Sequence, residues 1–342
     1  MKKRKKTGTV SFKSPPSVIA NAAVVGKKEG EGPLAAHFDS IFWDDRLSCK
    51  TWEKAEVSLQ KTVFETALKK AGLSKEDIGM LFSGDLLNQC IASGYSARDI
   101  KIPFMGLYGA CSTMAEGLSL AAMMIDGGYA DIAAAVTSSH FCCAERQFRF
   151  PLQYGSQRTP TSQRTVTGSG AAILSHSEEP PYILRCTPGR VIDFGVNDIN
   201  NMGAAMAPAA CDTLIRFFND TALPVKSFDL ILTGDLGVTG ADLLLDIASR
   251  CDLELKSNYD DCGRMIFDTK AQDTHSGGSG CGCSAAVVCS YVLNEMRRGQ
   301  INNVLFVGTG ALMSPTVLNQ KESIPSVAHA VHISNTLPKK GE

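Results

Sequence analysis

The sequence predicts an internally duplicated α/β fold, with two similar halves stacked into α-β-α-β-α layers. Three observations predict it. First, MLFSGDL at residues 80–86 returns as LILTGDL at residues 230–236: an apolar run, a hydroxyl residue, then Gly-Asp-Leu. Second, a small-apolar helix, a glycine stop and a buried strand recur in the same order downstream of each copy. Third, strands that are apolar throughout need cover on both faces, and helices supply it. The 342 residues, 44% hydrophobic and 20% charged, suffice for one large domain or two fused halves. The halves are placed at residues 17–180 and 181–335, behind a basic tail at 1–16.

The elements follow in chain order. Met-Lys-Lys-Arg-Lys-Lys opens the chain, but Thr7, Gly8, Thr9, Ser11 and Lys13 to Pro16 interrupt any apolar stretch of signal-peptide kind. This start reads as a solvated terminus, with contact to anionic lipid as the other reading. Glu56 to Ala71 is an amphipathic helix, and Ala241 to Arg250 is taken as its partner in the second half. Residues 80–86 and 230–236 are strands that deliver a Gly-Asp turn. Leu118 to Ile125 is a helix stopped by Gly127-Gly128, before a strand at 132–136. Ser284 to Met296 repeats that helix, Gly299 repeats the stop, and the strand at 304–307 ends in Gly308-Thr309-Gly310. With Gly128 aligned to Gly299, Cys111 falls on Gly282.

Several classes are excluded. A net charge of −1 gives no field to recruit nucleic acid. No apolar run of about 18 residues occurs, so no membrane-spanning helix is expected. The chain reads as cytoplasmic and at most peripheral to a membrane. The twelve cysteines lie mostly in apolar or Gly/Ala-rich segments and read as small buried residues in a reducing compartment. Cys281-Gly-Cys283 and Cys142-Cys143 lack the second Cys/His pair that structural zinc needs, so no metal or other cofactor is expected.

Cys111 is the feature with chemistry in it. Gly106 to Ala110 is turn-like, and a helix follows. Free N–H groups and the helix dipole favour an anion there, either a thiolate or a bound carboxylate. The other reading is an inert cysteine packing a strand–helix turn.

At these residues the chain resembles the thiolase superfamily, especially beta-ketoacyl-acyl-carrier-protein synthase III. Ala110-Cys111 resembles that family's nucleophile motif, and Gly308-Thr309-Gly310 its glycine-rich final strand. A closer likeness is to the stage V sporulation protein AD family of spore-forming Firmicutes. It is carried by VVGKKEGEGPL (24–34), KTWEKAE (50–56), GLYGACSTMAE (106–116), SSHF (138–141), RQFRFP (146–151) and HSGGSGCGCS (275–284). The resemblance implies a thiolase-like fold and a homodimer. It also implies binding of dipicolinic acid, during its uptake into the developing spore, within a complex of stage V sporulation A membrane proteins at the inner membrane of the forespore.

The resemblance to the enzymes also exposes departures. Condensation of the synthase III type needs Cys, His and Asn. The strand due to end in the His ends in Thr233-Gly234-Asp235, and alignment on Ser284-Ala285-Ala286 puts Gly282 at the Asn position. His275, seven residues before Gly282, is the one histidine placed to fold back. A binding protein is therefore expected, with an acyl-transferring enzyme using Cys111, or a scaffold, as alternatives. For a planar dicarboxylate the expected site comprises Cys111, the strand-end residues Ser138, Ser139 and His140, and arginines of the loop 141–164. That loop holds Arg146, Arg149, Arg158 and Arg164. Asp85 and Asp235 are included as groups that hold arginines, stay protonated, or share a calcium ion with the ligand, with turn capping by Asp after Gly as the other reading of each. Glu116 reads as complementing the helix dipole.

Overall fold

The structure, a computed structural model of the chain, describes residues 8–148, 158–255 and 257–338. The first half comprises β1 (Val10–Ser11), β2 (Ser17–Gly26), α1 (Lys27–Gly30), β3 (Ser40–Phe42), α2 (Trp52–Ala71) and β4 (Met80–Gly84). It continues through α3 (Ile91–Ile100), β5 (Phe104–Leu107), α4 (Thr113–Asp126), β6 (Ile132–Ser139), α5 (Phe141–Phe148), β7 (Arg164–Thr165) and β8 (Gly168–Ser175). The second half runs β9 (Tyr182–Thr187), α6 (Met202–Thr221), β10 (Leu230–Thr233), α7 (Gly237–Arg250), β11 (Tyr259–Asp261), α8 (Cys262–Met265) and β12 (Gly278–Ser279). It closes with α9 (Cys281–Val287), a π-helical turn at Val288–Val292, α10 (Leu293–Arg297), β13 (Asn303–Ala311), α11 (Pro315–Asn319) and β14 (Ser326–Ser334).

The duplication is explicit in the strand order. One end of the sheet reads β5-β4-β6-β8-β2, and the other reads β11-β10-β13-β14-β9. Each position in one half has its counterpart in the other. The two halves meet at β2 and β9, through Ser17 opposite Tyr182.

Period-two alternation sorts each buried strand between two cores. Ala133 and Ala135 of β6 join a central core with Leu118, Ala122 and Ile125 of α4, while Ala134 and Val136 face Leu59, Val63 and Phe64 of α2. In β13, Val304 and Phe306 point to the same central core, and Leu305 and Val307 to Leu214 and Phe217 of α6. Helices α4 and α9 thus lie between the two half-sheets, with α2 and α3 outside one and α6 and α7 outside the other. These are the five expected layers.

Helix α2 shows how locally the elements are specified. Thr51 caps it by accepting from the Lys54 N–H at 3.3 Å, and Gly72 ends it at φ 66°. Ala55, Leu59, Val63 and Ala67 form its buried stripe.

Three expectations are corrected. The helix matching α2 is α6, because both precede a Gly-Asp strand and cover an outer face; the match of α7 is α3. Pro208 and an alanine-rich run blur the helical period of α6. The stretch 141–164 opens with a helix, α5, instead of a loop. Within the tail at 1–16, Val10 and Ser11 pair with Cys186 and Arg185 of β9, and Phe12 is buried. The Thr9 N–H also donates to Asp220 at 2.8 Å.

Candidate functional site

Cys111 sits where β5 turns into α4. The turn is tight: Ala110 adopts φ 49°, in the left-handed region that costs a residue with a Cβ. Hydroxyls hold it, with Ser112 Oγ donating to the Gly109 carbonyl at 2.6 Å and Thr113 Oγ1 to that of Ala110 at 2.7 Å. From the other half, the Gly308-Thr309-Gly310 segment of β13 lies directly against the turn. A Cβ on Gly310 would stand 2.3 Å from the Gly109 carbonyl oxygen, and one on Gly308 2.7 Å from the Ala115 methyl. Only glycine lets the two backbones meet this closely.

Behind Cys111 stands Asp235. Its carboxylate accepts from the Gly280 N–H at 2.8 Å, from Thr309 Oγ1 at 2.8 Å and from the Cys111 thiol. Burial pushes the Asp235 carboxyl up to about 6, against those hydrogen bonds. Burial first, and the Asp235 charge second, push the Cys111 thiol well above its ordinary range. Of the two anions read as favoured at the helix terminus, the thiolate is therefore opposed by burial and by the Asp235 charge. Cys111 is a protonated S–H donor at neutral pH, and a thiol is a poor nucleophile.

Cys111 opens onto a cleft between the halves. Leu86, Tyr108 and Phe148 come from the first half, and Met202, Gly280 and Met313 from the second. The cleft spans about 540 Å³ out to its mouth, yet leaves about 40 Å³ in which the centre of a water molecule can move. It is a slot. Among the described residues no Lys, Arg or His lines it. The charged residue in the wall is Glu145 of α5, buried, with Oε1 accepting from Thr165 Oγ1 at 3.2 Å.

Of the residues expected at the site, Cys111 lines the cleft and Asp235 backs it, while the others point elsewhere. Asp85 turns away to clasp the start of α3, accepting from the N–H groups of Leu87 at 2.9 Å and Ser93 at 2.8 Å. Ser138 Oγ donates to the buried Glu56 at 3.0 Å, and Ser139 Oγ to the Val166 carbonyl at 2.7 Å. His140 is buried. Its Nδ1 accepts from the Cys142 N–H at 3.2 Å, so Nε2 donates to the Asp45 carbonyl at 2.8 Å, and burial lowers its pKa. His275 donates from Nδ1 to the Thr159 carbonyl at 2.8 Å and does not fold back to Cys111. The arginines do not converge either. Arg146 pairs with Glu53, Arg158 with Asp273 at 2.5 Å, and Arg164 stacks on Phe141 at 3.9 Å. Arg149 lies outside the described residues.

Sequence reasoning missed Glu145, Phe148, Met202 and Met313. Tyr108 lay within reach, since it stands three residues before Cys111 in a quoted motif. In the second-half wall Ser279 and Gly280 lay within the string 275–284, whereas no local signal marks Met202 and Met313, which only the packing of α6 and β13 brings there. No group of three or more His, Cys, Asp or Glu among the described residues is arranged to hold a metal ion.

Comparison with known proteins agrees with this architecture. The chain superposes on 3-oxoacyl-[acyl-carrier-protein] synthase III from Aquifex aeolicus VF5 with a TM-score of 0.59 at 12% identity, covering 93% of this chain and 99% of that one. It superposes on cerulenin-bound OleA of Xanthomonas campestris with a TM-score of 0.60 at 12% identity, covering 97% and 99%. The fold is thiolase-like. At the level of sequence, the family model described as "Stage V sporulation protein AD" matches residues 6–334. Stage V sporulation protein AD of Bacillus subtilis (strain 168) is 44% identical over 320 residues, 94% of each chain. The chain belongs to the stage V sporulation protein AD family, which ties it to sporulation.

Proposed function

We propose that this protein binds dipicolinic acid in the Cys111 cleft and works in moving dipicolinate into the developing spore, without catalysing carbon–carbon condensation. The observation that carries this reading is the state of Cys111, a buried thiol donating to Asp235. Condensation of the synthase III type needs a thiolate and two neutral donors from His and Asn. Here the strand end supplies a carboxylate. The aligned Asn position is Gly282, and the space its side chain would fill is taken by the Gly168 carbonyl at 2.5 Å and Ser139 Oγ at 2.6 Å. Losing one such donor typically costs about 100- to 1000-fold in rate.

The mostly apolar walls suit a heteroaromatic ring, which the cleft would admit only by widening beyond the little more than a water that it holds here. The dianion meets no basic side chain among the described residues of the wall, and calcium travelling with it as cargo would offset its charge. No helix among the described residues is long and apolar enough to cross a membrane. Passage into the forespore crosses a membrane, and the other stage V sporulation A proteins are the partners proposed for it. The basic residues 2–6 would add attraction to an anionic lipid surface at the forespore inner membrane.

Calorimetric titration with dipicolinate, with and without calcium and beside Cys111→Ala, tests the reading. Saturable binding that the substitution weakens supports it. Absence of binding in both conditions, or an acyl adduct on Cys111 in the intact mass after incubation with acyl-CoA, overturns it.

A further inference from the structure

The wall of the cleft at Leu86 belongs to a strained strap. Leu86 begins a segment that runs to Ile91, where α3 starts. Within it Gln89 and Cys90 adopt φ of 59° and 51°. Two successive left-handed residues that both carry a Cβ are strained unless their surroundings hold them. Three ties do so. Asp85 clasps the two ends, through the Leu87 N–H and through both the N–H and hydroxyl of Ser93. Cys90 Sγ donates to the Leu107 carbonyl at 3.1 Å. Gln147 of α5 accepts from the Asn88 N–H at 3.2 Å and donates to the Leu86 carbonyl at 3.4 Å. Because α5 also carries Glu145 and Phe148, which line the cleft, Gln147 latches the strap to another element of the cleft wall.

A second, more open cavity of about 290 Å³, on the same measure as the 40 Å³ inside, lies immediately outside, bounded by Asn88, Gln89, Tyr108, Leu312, Met313 and Ser314. Tyr108 and Met313 line both spaces and form the partition between them. The inner slot has room for little more than a water, so a ring cannot enter without movement of this partition or the strap.

We propose that the outer cavity is an entry subsite for a small planar dicarboxylate, and that the strap Leu86–Cys90 with Tyr108 is the gate to the cleft. The neutral amides of Asn88 and Gln89 and the hydroxyl of Ser314 offer hydrogen bonds to carboxylates as water is shed. Release of the Gln147 latch lets the strap leave its left-handed conformation, so strain favours opening and the latch opposes it. This rests on the reading of the cleft as the dipicolinate site.

Association and dissociation rates of dipicolinate, measured by surface plasmon resonance on the full chain, test the gate. Gln147→Ala removes the latch and should raise both rates about 2- to 10-fold, the worth of one hydrogen bond, with the affinity little changed. Gln89→Asn keeps an amide in the subsite while easing the left-handed backbone, and should slow both rates about threefold. Thermal melts confirm that both surface variants remain folded. Wild-type rates in both variants, or an affinity lost with no change in association rate, overturn the gate while the cleft assignment stands. If the wild-type chain gives no calorimetric signal with dipicolinate, the functional reading fails and the entry subsite falls with it.

Discussion

Asp85 and Asp235 show what one residue's surroundings decide. Both follow a Gly at the end of equivalent strands, yet Asp85 caps a helix and Asp235 turns to Cys111. In the second half the helix-capping task passes to Asp261, which accepts from the Leu236 and Gly237 N–H groups at 2.8 and 2.9 Å. Two predictions belong here. Removing the charge behind Cys111 should ease thiol ionisation, so Asp235→Asn should raise the rate of Cys111 alkylation by iodoacetamide about tenfold at pH 8. Peptide mass mapping checks it, with the exposed Cys251 as internal reference. The second concerns pH. The folded-state pKa of Asp235, about 6, lies above the ordinary carboxylate value, so the folded state binds a proton more tightly than the unfolded one. Its contribution is full below about pH 4 and is lost as pH rises through about 6, a difference on the order of 2–3 kcal/mol. Thermal melts from pH 4 to 7.5 should show wild type losing stability relative to Asp235→Asn across that window.

At the scale of elements, the meeting of β13 with the Cys111 turn is the most exacting contact. Gly310→Ala would drive a methyl into the Gly109 carbonyl, which is backbone and cannot swing aside. We expect a loss of about 2 kcal/mol or more in urea unfolding, with ligand affinity falling further than for a distant variant of equal stability. The strands and the helices α2 and α4 were legible in the sequence because their apolar runs and caps are local. Helix α6 was not, since Pro208 and its alanines hide the face that packs on β13 and β14. Helix α5 was read as a loop because its eight residues span barely two turns, too few for a 3.6-residue period to show.

For the whole molecule, the sheet ends openly at β5, where Met105 is 48% exposed, and Tyr95 of the neighbouring α3 is 51% exposed. An unpaired edge flanked by apolar side chains is a pairing site, and the homodimer implied by the thiolase resemblance would use it. Sedimentation should give about twice the 36.5 kDa of one chain, and Met105→Lys should weaken the dimer about tenfold or more. A monomer at all concentrations would refute the pairing.

The sequence by itself determined the duplicated α/β plan, the placing of Cys111 at a strand–helix turn, and the family. Periodicity, glycine punctuation and long shared strings are all written within short stretches of chain. Only the tertiary structure decided what Cys111 is chemically and what surrounds it. Its protonation depends on Asp235, 124 residues away in the other half (235 − 111), and the arginines that read as anion ligands are spent on partners chosen by packing. Burial and through-space charge set a side chain's chemistry, and neither has a range defined along the sequence.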